Sequence, residues 1–158
     1  MSERASPRRV LSFRLGDEAY AVDILAVKEI RGWSPVTRIP HSAGHVLGVL
    51  NLRGAIVPIL DLRRRFELAS AEFTPVTVVI VLSLATSSGL RECGLVVDAV
   101  SDVVDVAEDA VRPPPGLSGA ERTDAIAGLT QVDDRLLILL DAATLVSREL
   151  ADPAQEAA

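Results

Sequence analysis

Short apolar runs punctuated by turn residues organise this chain. Val10 to Leu15 stops at Gly16 and Asp17, and Glu18 to Val22 resumes the alternation, which predicts a hairpin. Leu25 to Arg31 extends that sheet, and Arg38, Ile39 and Pro40 break the chain. Val46 to Leu52 and Ala55 to Leu60 flank Arg53 and Gly54, where glycine supplies the positive φ of a tight turn, so a second hairpin is expected. Asp61 stands between the second of these strands and the run Leu62 to Phe66, the position of a helix N-cap. After a polar linker from Ala69 to Thr74, Val76 to Leu84 is too apolar for an exposed strand and reads as buried on both faces. Gly89 to Glu92 turns into a long strand from Cys93 to Val100. A last helix, capped by Asp141, runs from Ala142 to about Leu150.

The pattern repeats. Gly48 to Asp61 and Gly128 to Asp141 each span thirteen positions and each end in strand, aspartate, helix. Upstream, Ile30 to Pro40 matches Val103 to Pro113, ten positions in each case. The offset between copies grows from 73 to 80, which places seven extra residues in the loop Pro114 to Asp124. Two Val-rich units of about 70 residues, each with several short strands, predict an all-β fold of two five-stranded barrels packed together. Closing each sheet also removes edges that would otherwise invite aggregation.

Composition supports strands. Hydrophobic residues make up 49% of the chain and aromatics only 3%, so the core is built of Val, Ile, Leu and Ala. The net charge of -6 argues against a nucleic-acid partner, which needs clustered Lys and Arg. Arg63, Arg64 and Arg65 read as the solvated face of a short helix. The single Cys93 excludes an intrachain disulfide and fits a reducing cytoplasm. Met1 to Arg9 lacks the apolar stretch of a secretory signal, and Val76 to Ala85 falls short of the roughly 20 residues of a membrane span. A soluble intracellular protein is expected.

Catalytic parts are few. His41 and His45 have a spacing that suits one helical face, but Pro40 and Gly44 make the segment a loop, so solvent-facing histidines are expected instead of a metal site. The ten glycines form no phosphate-cradling array, and no cofactor is expected. Asp102, Asp105, Glu108 and Asp109 read as a solvated strand edge and turn, and Asp61 and Asp141 as helix caps. An enzyme would need a pocket lined by Asp98, Asp102 or Asp141, and a ligand-binding barrel would use His41 and His45. Of the large amphipathic rings Tyr20 and Trp33, the second, beside Gly32 and Ser34, is expected to be partly exposed.

The run from Phe13 to Leu25, Val27 to Gly32, Gly48 to Gly54 and Val57 to Leu62 closely resembles the CheW family of chemotaxis coupling proteins. Val96 to Asp98, Val100 to Val103, Ile126 to Gly128 and Leu136 to Leu139 continue the likeness, which covers roughly residues 10 to 148. The resemblance implies two intertwined SH3-like five-stranded barrels with short helices and no catalysis. It implies one domain over 10–150, split into units of about 22–85 and about 10–21 plus 90–140, with flexible tails at 1–9 and 151–158. The implied partners are the cytoplasmic tip of a chemoreceptor, held in a groove between the barrels, and the regulatory domain of the chemotaxis histidine kinase CheA. The implied location is the cytoplasm, at receptor arrays on the inner face of the membrane. By motif match, Val27, Glu29, Gly48, Asn51, Arg53 and Val103 face the receptor, and Arg112 and Leu117 face the kinase or a neighbour in a ring. Glu29 and Arg53 are expected to pair across neighbouring strands. Where the family often has an aromatic residue after the Arg-Pro loop, this chain has Leu117, which offers less contact area.

Overall fold

Tight turns with positive φ at both central residues fold the chain back on itself, because their twist matches that of the strands they join. Arg53 and Gly54 adopt φ of 55° and 91°, and eighty positions later Asp133 and Asp134 adopt 53° and 66°. The computed structural model describes residues 8–38, 46–65, 73–86, 89–113 and 125–149. Its strands are β1 (Arg8–Leu15), β2 (Glu18–Asp23), β3 (Val27–Gly32), β4 (Val46–Leu52), β5 (Ala55–Asp61), β6 (Val78–Thr86), β7 (Gly89–Val97), β8 (Ala99–Val106), β9 (Ile126–Val132) and β10 (Arg135–Leu140). The helices are α1 (Leu62–Arg65) and α2 (Ala142–Glu149), with single 3-10 turns at Ile24–Ala26 and Glu108–Ala110.

The expected all-β architecture is present as two five-stranded sheets, ordered β3-β6-β7-β5-β4 and β8-β1-β2-β10-β9. Each has the same plan, with one parallel pair at its centre: β5 beside β7 in the first, β10 beside β2 in the second. The hairpin β1–β2, first in sequence, therefore completes the sheet built by the last three strands. Strand β7 pairs with β6 and β5 and lies in the first sheet, whereas the sequence reading assigns residues from 90 onward to the second unit. The long strand expected from Cys93 to Val100 is two strands, since a bend at Asp98 carries the chain from one sheet to the other. Leu25, expected in a strand, sits in the 3-10 turn, where the Asp23 carboxylate accepts its backbone N–H. The expected tails, the linker from Ala69, His41, His45, Leu117 and the loop Pro114 to Asp124 fall wholly or mostly outside the described residues.

Both sheets curl toward closure at equivalent places. Thr37, beyond β3, exchanges two backbone hydrogen bonds with Val49 of β4, and Arg112, beyond β8, does the same with Leu129 of β9. Glycine allows each crossing. A Cβ on Gly48 would lie 2.1 Å from the Thr37 carbonyl oxygen, and one on Gly128 would lie 2.8 Å from that of Arg112. Gly48→Ala is expected to destabilise the protein by about 3 kcal/mol, because the obstructing atom is backbone and cannot swing aside. Gly32→Ala, with nothing within 4 Å of the added carbon, is the control and should cost far less in urea unfolding.

Strand β6 shows why the fold needs so apolar a segment. Ile80 and Leu82 enter the main core with Phe13, Leu15, Leu60, Leu95 and Leu145, while Val79 and Val81 enter a second core with Val57, Ile59 and Val96. Burial on both faces, expected from the run Val76 to Leu84, holds for these four central residues, and each such side chain contributes about 1.5–3 kcal/mol. Because the main core draws residues from both sheets and from α2, the two units share one hydrophobic interior.

Candidate functional site

Strand β3 is the outer strand of the first sheet, and its side chains alternate between half-buried and exposed: Val27, Glu29 and Arg31 half-buried, Lys28 and Ile30 exposed. The β4–β5 turn brings Arg53 to the same place. Its guanidinium nitrogens lie 3.4 and 3.5 Å from the two Glu29 carboxylate oxygens, and Arg31 approaches the same carboxylate at 3.7 Å. The expected Glu29–Arg53 pair is thus formed, at the long limit of hydrogen-bonding distance. Asn51 shapes the turn: its side-chain oxygen accepts the Gly54 N–H at 2.9 Å, which fixes the loop that carries Arg53. A bulge in β3 carries Lys28, which pairs with Glu92 of β7.

The Arg53 side chain remains 73% exposed and that of Glu29 21%. A pair this open contributes about 0.2–1 kcal/mol to stability. What it offers is a planar fork of donors beside a carboxylate, chemistry suited to another protein surface.

Other members of the expected set are placed differently. Val27, Glu29, Asn51 and Arg53 belong to one sheet, and Val103, 52% exposed, belongs to β8 of the other. Gly48 was expected to face the receptor, but it is buried where Thr37 crosses and presents no side chain to a partner. Arg112 is exposed, with its backbone engaged by Leu129. Between the units lies an open cleft of about 470 Å³, lined by Asp23, Leu25, Leu84, Leu140 and Ala142 among others. Leu25, 89% exposed, stands on its rim two residues before Val27.

The feature that sequence reasoning misses is Arg63. Expected on a solvated face, it is fully buried. Its Nε and Nη2 donate to the two Asp61 carboxylate oxygens at 2.9 and 3.0 Å, and its Nη1 donates to Asp98 at 3.0 Å. Phe73 covers the guanidinium, its ring centroid 4.9 Å from Cζ, and Trp33 stacks on Phe73 at 4.1 Å. Trp33 is partly exposed, as expected. Burial pushes the Arg63 pKa down, but its hydrogen bonds to the Asp61 and Asp98 carboxylates and their negative charge outweigh it and hold the group above its ordinary value. Asp61 also accepts the Arg63 backbone N–H at 3.0 Å, so it caps the helix and pairs with the arginine together. The second copy has Ala143 where the first has Arg63, and Asp141 acts as a simple cap, accepting the Thr144 N–H at 3.1 Å.

The aspartates that an enzyme would need are dispersed. Asp98 is engaged by Arg63 and by the Gly16 N–H, Asp141 lines the cleft between the units, and Asp102 borders a separate depression of about 180 Å³. Among the described residues no group of three or more His, Cys, Asp or Glu is placed to hold a metal ion.

Residues 9–150 match the family model of the CheW-like domain. The chain is 37% identical over 147 residues to the probable chemotaxis protein CheW of Rhizobium etli, covering 93% of this chain and 92% of that one. It is 45% identical over 139 residues to the chemotaxis protein CheW of Klebsiella aerogenes, covering 88% and 81%. The crystal structure of the scaffolding protein TtCheW from Thermoanaerobacter tengcongensis superposes with a TM-score of 0.76 at 29% identity, covering 85% of this chain and 88% of the other. A shared domain over nearly the whole length, with the same two-sheet architecture, establishes that the chain belongs to the CheW-like domain family.

Proposed function

We propose that the protein is a non-enzymatic adaptor that couples chemoreceptors to the chemotaxis histidine kinase CheA in signalling arrays. Chemotaxis proteins and a scaffolding protein are its relatives, which supports a role in assembly. The observation that carries the reading is the exposed Glu29–Arg53 ledge: a shaped turn holds an arginine in the open, where the pair adds little stability. Val27, Glu29 and Arg53, with Asn51 setting the turn and Val103 on the second sheet, meet the receptor tip in the groove between the units. Arg112 and Leu117 face the kinase regulatory domain or a neighbouring adaptor. The protein acts in the cytoplasm, at the inner face of the membrane. Among the described residues no helix is long and apolar enough to cross a membrane.

An NMR titration with a receptor-tip fragment tests this assignment. Amide shifts should concentrate at Val27, Glu29, Arg53 and Val103. Shifts confined to the opposite ends of the sheets, or none at saturating fragment, would refute it.

A further inference from the structure

A fully buried arginine with one carboxylate partner in its own helix cap and another at the chain crossing is more than the helix needs. Arg63 uses its fork on Asp61 within the first unit, and its remaining guanidinium nitrogen reaches Asp98, the residue between β7 and β8 where the chain leaves one sheet for the other. Asp98 continues the connection. Its second carboxylate oxygen accepts the Gly16 N–H at 2.7 Å, and its own N–H donates to the Arg14 carbonyl at 3.0 Å, so it grips the β1–β2 turn of the second unit. A polar chain thus runs from α1, through the crossing, to a hairpin tip in the other sheet.

Among the described residues the units are also joined through the shared apolar core. Apolar burial is non-directional and does not by itself select one angle between the sheets, whereas a planar guanidinium with fixed partners tolerates little rotation. We propose that the Asp61–Arg63–Asp98–Gly16 chain sets the angle between the two units, and with it the width of the cleft they share, making Arg63 and Asp98 positioning residues for any partner that touches both sheets. This inference concerns the internal geometry of the protein and does not depend on which partner occupies the cleft.

The test measures the angle directly. Spin labels on Ile56→Cys and Leu136→Cys, exposed positions of the first and second sheets, report an inter-unit distance by double electron–electron resonance, with buried Cys93 left in place. Asp98→Ala cuts the link and spares the Arg63–Asp61 fork. The pair Asp61→Leu with Arg63→Met removes the buried charges together, an exchange that proteins often tolerate. Each variant should keep its cooperative melting and show a distance distribution about twofold broader than the parent. A distribution unchanged in position and width in a folded variant would overturn the proposal. Should one variant fail to fold, the other decides, because they break the chain at different links.

Discussion

Asp61→Ala is expected to cost about 3–5 kcal/mol in urea unfolding, a large part of the roughly 5–15 kcal/mol that holds a domain of this size together. Asp61 and Arg63 are both fully shielded from water. Removing the carboxylate takes two side-chain hydrogen bonds from the guanidinium and one from the backbone at the start of α1. Arg63 then keeps Asp98, but most of its charge sits in the interior without its fork partner. The penalty comes from that stranded charge more than from the lost attraction. The double variant Asp61→Ala with Arg63→Met should therefore be more stable than Asp61→Ala alone. An Asp61→Ala protein within about 1 kcal/mol of the parent would show that water reaches the site and that the burial is not as described.

Arg53→Glu is expected to leave the melting temperature nearly unchanged and to weaken binding to a receptor fragment at least about tenfold, the scale of an interface hot spot. The turn survives because Asn51 and Gly54 hold it and because the Arg53 side chain lies mostly in solvent. Facing Glu29, the new carboxylate replaces a weak attraction with a weak repulsion, an effect below about 1 kcal/mol on folding. A partner surface shaped for the arginine loses a cation and meets two negative charges. Titration calorimetry and thermal melting on the same preparations separate the two effects. A large fall in melting temperature together with unchanged affinity would assign Arg53 to the fold and not to the interface.

The hairpins were legible because their turns need particular residues: Gly16-Asp17 and Arg53-Gly54 lie between apolar runs of strand length. The repeat was legible because Gly48 and Gly128 answer the same steric demand, a backbone crossing that leaves no room for a Cβ. Their role was not, since nothing local to Gly48 reveals that Thr37 will pass over it. The exchange of residues 10–21 into the second unit was implied by the family resemblance alone, and the place of β7 was hidden even from that. Whether β7 joins β5 or β10 depends on pairings far apart in sequence, and Gly94 beside Ile59 is decided by contact, not by pattern. The Glu29–Arg53 pair followed from turn and strand together. Arg63 did not, because three successive arginines read as a solvated helix face. The signal lay in the broken repeat: Asp61-Leu62-Arg63 is answered by Asp141-Ala142-Ala143, so one copy carries an arginine that the other lacks. That arginine joins Asp61 of its own copy to Asp98.

Co-sedimentation tests the adaptor role most directly. Receptor-containing membranes, the kinase and this protein are mixed and spun, and kinase in the pellet is measured with and without the protein. The expected result is kinase pelleting that rises with added protein and falls when Arg53→Glu replaces it. Kinase that stays in the supernatant at every concentration of a folded protein would contradict the account.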